Sequence, residues 1–138
     1  MSKKTYQGGC HCGKVRYEVD LDLQAGSSQC NCSICHKTGA WGMNVDPSAF
    51  RLLAGEEDLS DYQFASRSGH HLFCKHCGVR SFGRFNVPQM GGPKVSINLR
   101  CLEGADLDGI PIRYFNGKEN DWSAAMRPPV TAPAFTLT

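Results

Sequence analysis

The segment from Cys10 to Tyr17 reads CHCGKVRY: two cysteines one residue apart, a glycine, and then polar and apolar residues in alternation. The segment from Cys74 to Phe82 reads CKHCGVRSF and repeats this order, with a Cys-Gly pair before a run of β character. A glycine after the second cysteine suits a tight metal knuckle, because the chain reverses around the ion in a backbone conformation that can have positive φ. The two segments therefore predict matching halves of one metal site, and each half leads into a strand.

The rest of the chain also favours strands. Polar and apolar residues alternate without a break over residues 14–21 and 94–99, which is the period of a strand with one buried face. Further β-like runs cover residues 40–45, 61–64, 79–85 and 112–115. Helical periodicity is nearly absent, since residues 33–37 and 47–50 can each form at most a single turn. The pattern predicts a mainly β protein, a single small antiparallel β domain, with residues 126–138 as an extended Pro-rich C-terminal tail.

Composition limits the class of partner. The chain has 138 residues, 41% of them hydrophobic and 20% charged, as in an ordinary globular domain. The charges are scattered and sum to only +2, so we expect no nucleic-acid binding. No apolar run approaches the roughly 20 residues of a membrane span, and the N-terminal residues lack the apolar stretch of a signal peptide. We therefore expect a cytoplasmic protein that does not bind a membrane.

Cysteine is the residue type whose content departs from the average. Seven of the eight cysteines fall in three tight groups: Cys10 and Cys12, then Cys30, Cys32 and Cys35, then Cys74 and Cys77. Cytosolic thiols stay reduced, so close cysteine groups in this setting indicate metal ligands in preference to disulfides. The eighth, Cys101, follows the strand predicted over residues 94–99, and we predict that it is a buried thiol without metal.

Seven clustered cysteines divide between two zinc ions as four plus three. Structural zinc is closed by four protein ligands, whereas catalytic zinc has three and keeps a fourth position for water or substrate. The repeated Cys-Gly pattern pairs Cys10 and Cys12 with Cys74 and Cys77, which leaves the Cys30, Cys32 and Cys35 triplet for a zinc with an open position. Two alternatives remain. A further ligand could close the triplet site, from His11, His36, His70, His71, His76 or Cys101; or Cys74 and Cys77 could form a redox dithiol, although no βαβ pattern surrounds them.

These motifs resemble the glutathione-dependent formaldehyde-activating enzymes, whose domain is shared with centromere protein V. The resemblance runs through residues 9–17, 30–39, 73–78 and 98–102 and covers roughly residues 5–125. Residues 114–122, YFNGKENDW, look like the end of the domain in one subgroup of that family. The resemblance implies a β-tent fold with a structural zinc at Cys10, Cys12, Cys74 and Cys77 and a catalytic zinc at Cys30, Cys32 and Cys35. It also implies condensation of formaldehyde with glutathione, a reaction classed under carbon–sulfur lyases for its reverse direction.

A small thiol and a small aldehyde are therefore the expected partners. An open zinc site can bind a thiol, lower its pKa and hold the thiolate beside a carbonyl carbon. His36 follows the last cysteine of the triplet and is the candidate for proton transfer, with a plain surface histidine as the alternative. Lys37, Arg16, Arg80 and Arg84 flank the cysteine groups and are candidates for attracting the carboxylates of glutathione, unless they are solvated strand-face charges. The competing class is a non-catalytic zinc-binding β module that binds a protein partner.

Overall fold

The computed structural model describes residues 3–88 and 91–131. Within these ranges the chain forms eleven strands and one short α-helix, α1 (Ser33–Thr38). The strands are β1 (Lys4–Gly9), β2 (Arg16–Leu21), β3 (Ser27–Cys30), β4 (Gly42–Val45), β5 (Phe50–Ala54), β6 (Leu59–Tyr62), β7 (Gly69–Cys74), β8 (Phe82–Val87), β9 (Gly92–Asn98), β10 (Pro111–Phe115) and β11 (Val130–Thr131). Single 3₁₀ turns lie at Leu23–Ala25, Pro47–Ala49, Glu56–Asp58, Leu99–Cys101, Gly117–Glu119 and Ser123–Met126. The mainly β class predicted from the sequence is confirmed, and no helix in the described ranges is long and apolar enough to span a bilayer.

The strands form two sheets. The smaller has the order β1-β2-β5, and the larger has the order β11-β10-β3-β4-β9-β8-β7-β6. The neighbouring strands pair antiparallel, except that β3 and β10 run parallel with Ile112 opposite Ser27. A parallel pair needs a long crossover connection, and the chain between Cys30 and Pro111 provides it. The larger sheet is therefore mixed, which the sequence pattern did not predict.

The core lies between the two sheets. On β2 the apolar residues Tyr17, Val19 and Leu21 are buried, as their alternation with polar residues predicted. Tyr17 packs against Phe50 of β5 and Phe82 of β8, with ring centroids 5.2 Å and 5.8 Å away. Burial of rings this large supplies much of the stabilisation of so small a domain. The aromatic contacts thus hold the small sheet against the large one.

Several predicted strand boundaries shift. The strands expected over residues 14–21 and 40–45 begin at Arg16 and Gly42. The strand expected over residues 79–85 begins only at Phe82, because the preceding residues complete the turn around Cys77. The strand expected over residues 61–64 already ends at Tyr62, and the following loop includes Ala65 and Arg67 with positive φ. Of the segment predicted as an extended tail, Val130 and Thr131 pair with β10, and residues 132–138 lie outside the described residues.

Candidate active site and metal centres

Four cysteine sulfurs from the two repeated segments converge. The Sγ atoms of Cys10, Cys12, Cys74 and Cys77 all lie within 4.8 Å of one another. Cys10 and Cys74 are buried, whereas Cys12 is exposed. Four converging thiols are the donor set of a closed tetrahedral zinc site, so the residues present fit that ion.

The two halves of this cluster have the same backbone geometry. The N–H of Cys10 donates to Val15 O at 3.1 Å, and the N–H of Cys74 donates to Val79 O at 3.0 Å. Each turn contains a glycine with positive φ, +85° at Gly13 and +78° at Gly78. The predicted knuckle conformation is confirmed at both positions.

Backbone amides in these turns donate hydrogen bonds to cysteine sulfurs of the cluster. The N–H of Val15 donates to Cys10 Sγ at 3.3 Å, and the N–H of His76 donates to Cys74 Sγ at 3.4 Å. Hydrogen bonds from the N–H groups of Cys12 and Val79 lower the pKa of the Cys77 thiol to about 6. A sulfur stabilised as thiolate before the ion arrives is a better ligand.

The second cluster lies where β3 meets α1. Cys30 ends β3, Cys32 is the N-cap of α1 and Cys35 lies within α1, and their three sulfurs lie within 4.8 Å of one another. Ser27 at the start of β3 links this strand to β10 and to Trp41, because its hydroxyl donates to Pro111 O at 2.7 Å and accepts from Trp41 Nε1 at 2.8 Å. The end of a paired strand and the first turn of a helix therefore bring the three thiols together.

The three thiols of this cluster differ in their tendency to ionise. Burial raises the pKa of Cys30 and raises that of Cys35 to about 12. Burial acts in the same direction on Cys32, but hydrogen bonds from the Cys35 amide and the neighbouring thiols outweigh it and lower the pKa of Cys32. Two of the three sulfurs thus need a cation to become thiolates, and a three-thiol set fits a zinc ion that keeps one position open.

The three-cysteine cluster opens into a cavity of about 590 Å³. Its wall includes Cys30, Cys32 and Cys35, the aromatic side chains of Trp41, Phe115 and Trp122, and the basic side chains of Arg80 and His71. None of the cysteines in the four-cysteine cluster lines this cavity. A volume of this size lies within the range of roughly 300–1,000 Å³ that small-molecule sites occupy.

Comparison with known proteins identifies the family of this chain. The family model described as glutathione-dependent formaldehyde-activating enzyme matches residues 5–111, which contain all seven clustered cysteines. The chain belongs to this family. A curated protein of Halomonas elongata, provisionally named a glutathione-dependent formaldehyde-activating enzyme, is 35% identical over 79 residues, which is 51% of this chain. The chain spans about half the length of that relative, since the match covers 50% of it.

A solved structure supports the same fold. The crystal structure of a Rhodobacter sphaeroides protein, a structural genomics target, superposes with a TM-score of 0.67 at 33% identity. The similarity covers 77% of this chain and 98% of that one.

In this member of the glutathione-dependent formaldehyde-activating enzyme family, no further ligand from residues 3–88 or 91–131 joins the three-cysteine cluster. Among the described residues, no histidine, carboxylate or fourth cysteine places a ligand atom with the sulfurs of Cys30, Cys32 and Cys35. The imidazole of His76 contacts Asp58 Oδ1 at 2.7 Å, and that of His70 contacts Asp61 Oδ2 at 2.6 Å.

Among the described residues, the remaining ligand candidates His11, His36, His71 and Cys101 also place no ligand atom in either cysteine cluster. His11 and His36 are exposed, and neither lines the cavity. Cys101 lies outside both clusters, with its Sγ 4.0 Å from Arg80 O, and it is half-buried where the sequence predicted a buried thiol. Cys74 and Cys77, the alternative redox dithiol, both belong to the four-cysteine cluster.

Sequence reasoning gave no functional role to the loop that covers Cys30. After β10 the chain turns at Gly117, and Lys118 N–H donates to Asn31 Oδ1 at 3.0 Å. The Asn31 amide donates to Asn116 Oδ1 at 2.9 Å, and Gly117 N–H donates to the Cys30 sulfur. The signal was present in the NGKENDW stretch, but the contact joins residues more than eighty positions apart. This loop therefore positions the first cysteine of the cluster from outside its own segment.

Proposed function

We propose that this chain is a zinc-dependent enzyme that joins a small thiol, glutathione or a similar molecule, to formaldehyde or another small aldehyde. In the reverse direction the same chemistry is that of a carbon–sulfur lyase. The observation that carries the proposal is the contrast between the two cysteine clusters: the four-cysteine set is a closed donor set away from the cavity, and the three-cysteine set lies on the cavity wall. Membership of the family supports the choice of thiol and aldehyde.

The two proposed zinc ions follow the division between the two cysteine clusters. We propose a structural zinc at Cys10, Cys12, Cys74 and Cys77 and a catalytic zinc at Cys30, Cys32 and Cys35. The two packed sheets would then form the β-tent of this family, with residues 5–125 as the zinc-binding domain. A cytoplasmic location suits the chemistry, because thiols stay reduced there.

The reaction forms one bond between the substrate sulfur and the carbonyl carbon. The carbonyl oxygen gains the proton that the thiol loses, so atoms and electrons balance without any redox partner. A zinc ion held by the three cysteines would act as a Lewis acid that lowers the pKa of the substrate thiol. Trp41, Phe115 and Trp122 form an apolar part of the cavity wall.

Exchange spectroscopy by NMR tests the proposal, because it measures interconversion of free glutathione and its formaldehyde adduct at equilibrium. We expect the zinc-loaded protein to accelerate this exchange and Cys32→Ser to abolish the acceleration. Cys101→Ala is the matched control, since it removes a thiol outside both clusters and should leave the acceleration unchanged. Equal acceleration by Cys32→Ser would refute the catalytic role of the cluster.

A further inference from the structure

Among the described residues, Arg80 differs from the other partly buried arginines because its guanidinium has neither a carboxylate nor a carbonyl partner. Arg113, which also lacks a carboxylate, donates its Nε to Arg127 O at 3.1 Å. Arg16 pairs with Glu103 at 2.7 Å, and Arg51 pairs with Glu18 at 2.6 Å and Asp20 at 2.9 Å. Within the described ranges Arg80 makes no ion pair, and its enclosed Nε has no hydrogen-bond acceptor. A guanidinium withdrawn from water without a partner is costly, so its retention calls for a ligand.

The surroundings of Arg80 are basic or neutral apart from the cysteines. Burial lowers the pKa of Arg80, while the charges of Cys35 and Cys32 raise it, which places the guanidinium within electrostatic range of the three-cysteine cluster. Burial and the nearby Arg80 charge lower the pKa of His71, which favours its neutral imidazole. Among the described residues that line the cavity, none carries a carboxylate. Two arginines, Arg80 and Arg84, line the wall. Arg84 is exposed and its guanidinium lies over the rings of Phe50 and Phe82, whereas Arg80 is the one that interacts electrostatically with Cys35 and Cys32.

The backbone leaves room for this guanidinium. Gly83 of β8 faces it, and a Cβ at that position would stand 3.3 Å from Arg80 Nη2. A planar guanidinium presents its N–H groups as a fork that matches the two oxygens of a carboxylate. The cavity of about 590 Å³ is much larger than a small aldehyde needs, so it has space for a thiol that carries a carboxylate at some distance from its sulfur.

We propose that Arg80 is a specificity-determining residue that binds a carboxylate of the thiol substrate, so that the site prefers thiols with a free carboxylate over neutral thiols. This inference rests on the proposed function, because the carboxylate and the reacting sulfur belong to one molecule. The competing explanation is that Arg80 only balances the charge of three thiolates around a divalent ion. Charge balance would act equally on every thiol, whereas carboxylate binding discriminates between them.

A matched pair of ligands separates the two explanations. S-methylglutathione has no free thiol and keeps both carboxylates, and its dimethyl ester has the same body with both carboxylates masked. Calorimetry on the zinc-loaded protein should show the free acid binding at least about tenfold more tightly than the ester, a difference of about 1.4 kcal/mol. We expect Arg80→Met to weaken the free acid by at least about tenfold and to change the ester by less than about twofold, which is the loss of one charge-assisted contact.

Two further variants complete the test. Arg80→Lys keeps the charge without the planar fork and should bind the free acid with intermediate affinity. Arg100→Gln removes the same charge from an exposed residue whose guanidinium stacks on Trp41, so it should bind both ligands like the parent. Zinc content and melting temperature, measured on each variant, show whether the fold and the metal are retained.

The inference is overturned if the parent does not distinguish the two ligands, or if Arg80→Met and Arg80→Lys weaken both ligands equally. The same proteins in the exchange assay, with glutathione and its dimethyl ester as substrates, keep the two hypotheses apart. Binding of the free acid that depends on Arg80, without acceleration of exchange, would support the carboxylate site and refute the proposed function. Acceleration that Arg80→Met lowers equally for both substrates would support the proposed function and refute the role of Arg80 in specificity.

Discussion

Gly117 lies directly against Cys30: a Cβ at position 117 would stand 2.5 Å from Cys30 Sγ. It would also stand 2.8 Å from the ring of Trp122, so the glycine is enclosed on two sides. The loop that follows β10 therefore fits over the three-cysteine cluster only because residue 117 has no side chain. This contact joins the last part of the described chain to the first cysteine of the proposed catalytic centre.

Gly117→Ala should weaken zinc binding at the three-cysteine cluster while leaving the four-cysteine cluster loaded. The added methyl displaces either the sulfur or the loop, and overpacking of this kind costs typically about 1–3 kcal/mol. Zinc content after dialysis against a weak chelator measures the effect. Gly69→Ala is the control on the same cavity wall, because its Cβ meets only His71 Nε2 at 3.5 Å. If both variants retain as much zinc as the parent, the loop does not position Cys30.

Cys74→Ser should unfold the domain or greatly lower its melting temperature. Cys74 is buried, and its cluster ties the turn before β2 to the turn before β8, so the zinc binding energy is part of the folding energy. Circular dichroism against temperature, with and without added zinc, reports the loss. A Cys74→Ser protein that melts like the parent would disprove the structural role of this cluster.

Cys101→Ala should leave the zinc content unchanged and cost only about 1 kcal/mol, the centre of typical point-mutant losses. The side chain is half-buried and lies outside both clusters. Elemental analysis measures the zinc content, and urea unfolding measures the free energy of unfolding. Selective loss of one ion would instead make Cys101 the ligand that closes the three-cysteine site.

Tyr17→Phe should change how stability depends on alkaline pH. Burial is the main cause that raises the pKa of Tyr17 above its usual range, and the nearby Cys101 raises it further. Below pH of about 10 both the folded and unfolded states keep the phenol proton, and above it the unfolded state loses its proton first, so the free energy of unfolding falls as pH rises. The variant lacks this loss, but it also lacks the hydrogen bond from Tyr17 Oη to Ser81 O at 3.3 Å, worth about 1 kcal/mol.

Urea unfolding of parent and Tyr17→Phe at pH 8 and pH 11 measures this dependence. We expect the parent to be the more stable protein at pH 8 and its advantage to shrink at pH 11. A stability difference that stays constant between the two pH values would contradict the conclusion that the pKa of Tyr17 is raised in the folded protein.

The sequence predicts the parts of the fold that depend on local pattern. Alternation identified β2 and β9, whose buried residues face one core, and the repeated Cys-Gly turns identified both knuckles. β3 escaped prediction because its four residues read SSQC and its pairing with β10 depends on a strand far along the chain. β7 reads GHHLFC, and only its last residue is fully buried, so no alternation marks it.

In the candidate site, too, the features set by local spacing can be predicted from the sequence, whereas those set by long-range contacts cannot. Sequence spacing brings Cys30, Cys32 and Cys35 together, because one strand end and one helical turn contain all three. The roles of Arg80 and Gly117 depend on long-range contacts across the sheet, and spacing along the chain does not reveal them. The sequence identified several basic residues near the cysteines as candidates for attracting a carboxylate. Only the fold distinguishes Arg80 from Arg16, which is paired with Glu103.

Zinc stoichiometry of Cys32→Ser tests the central claim, that two cysteine clusters hold two ions with different roles. We predict two zinc ions per chain in the parent, and one in Cys32→Ser with a melting curve close to that of the parent. Cys32 contributes to the cavity wall and not to the buried core, so its loss removes a ligand without removing the fold. A Cys32→Ser protein that keeps two zinc ions, or one that unfolds as completely as Cys74→Ser, would contradict the account.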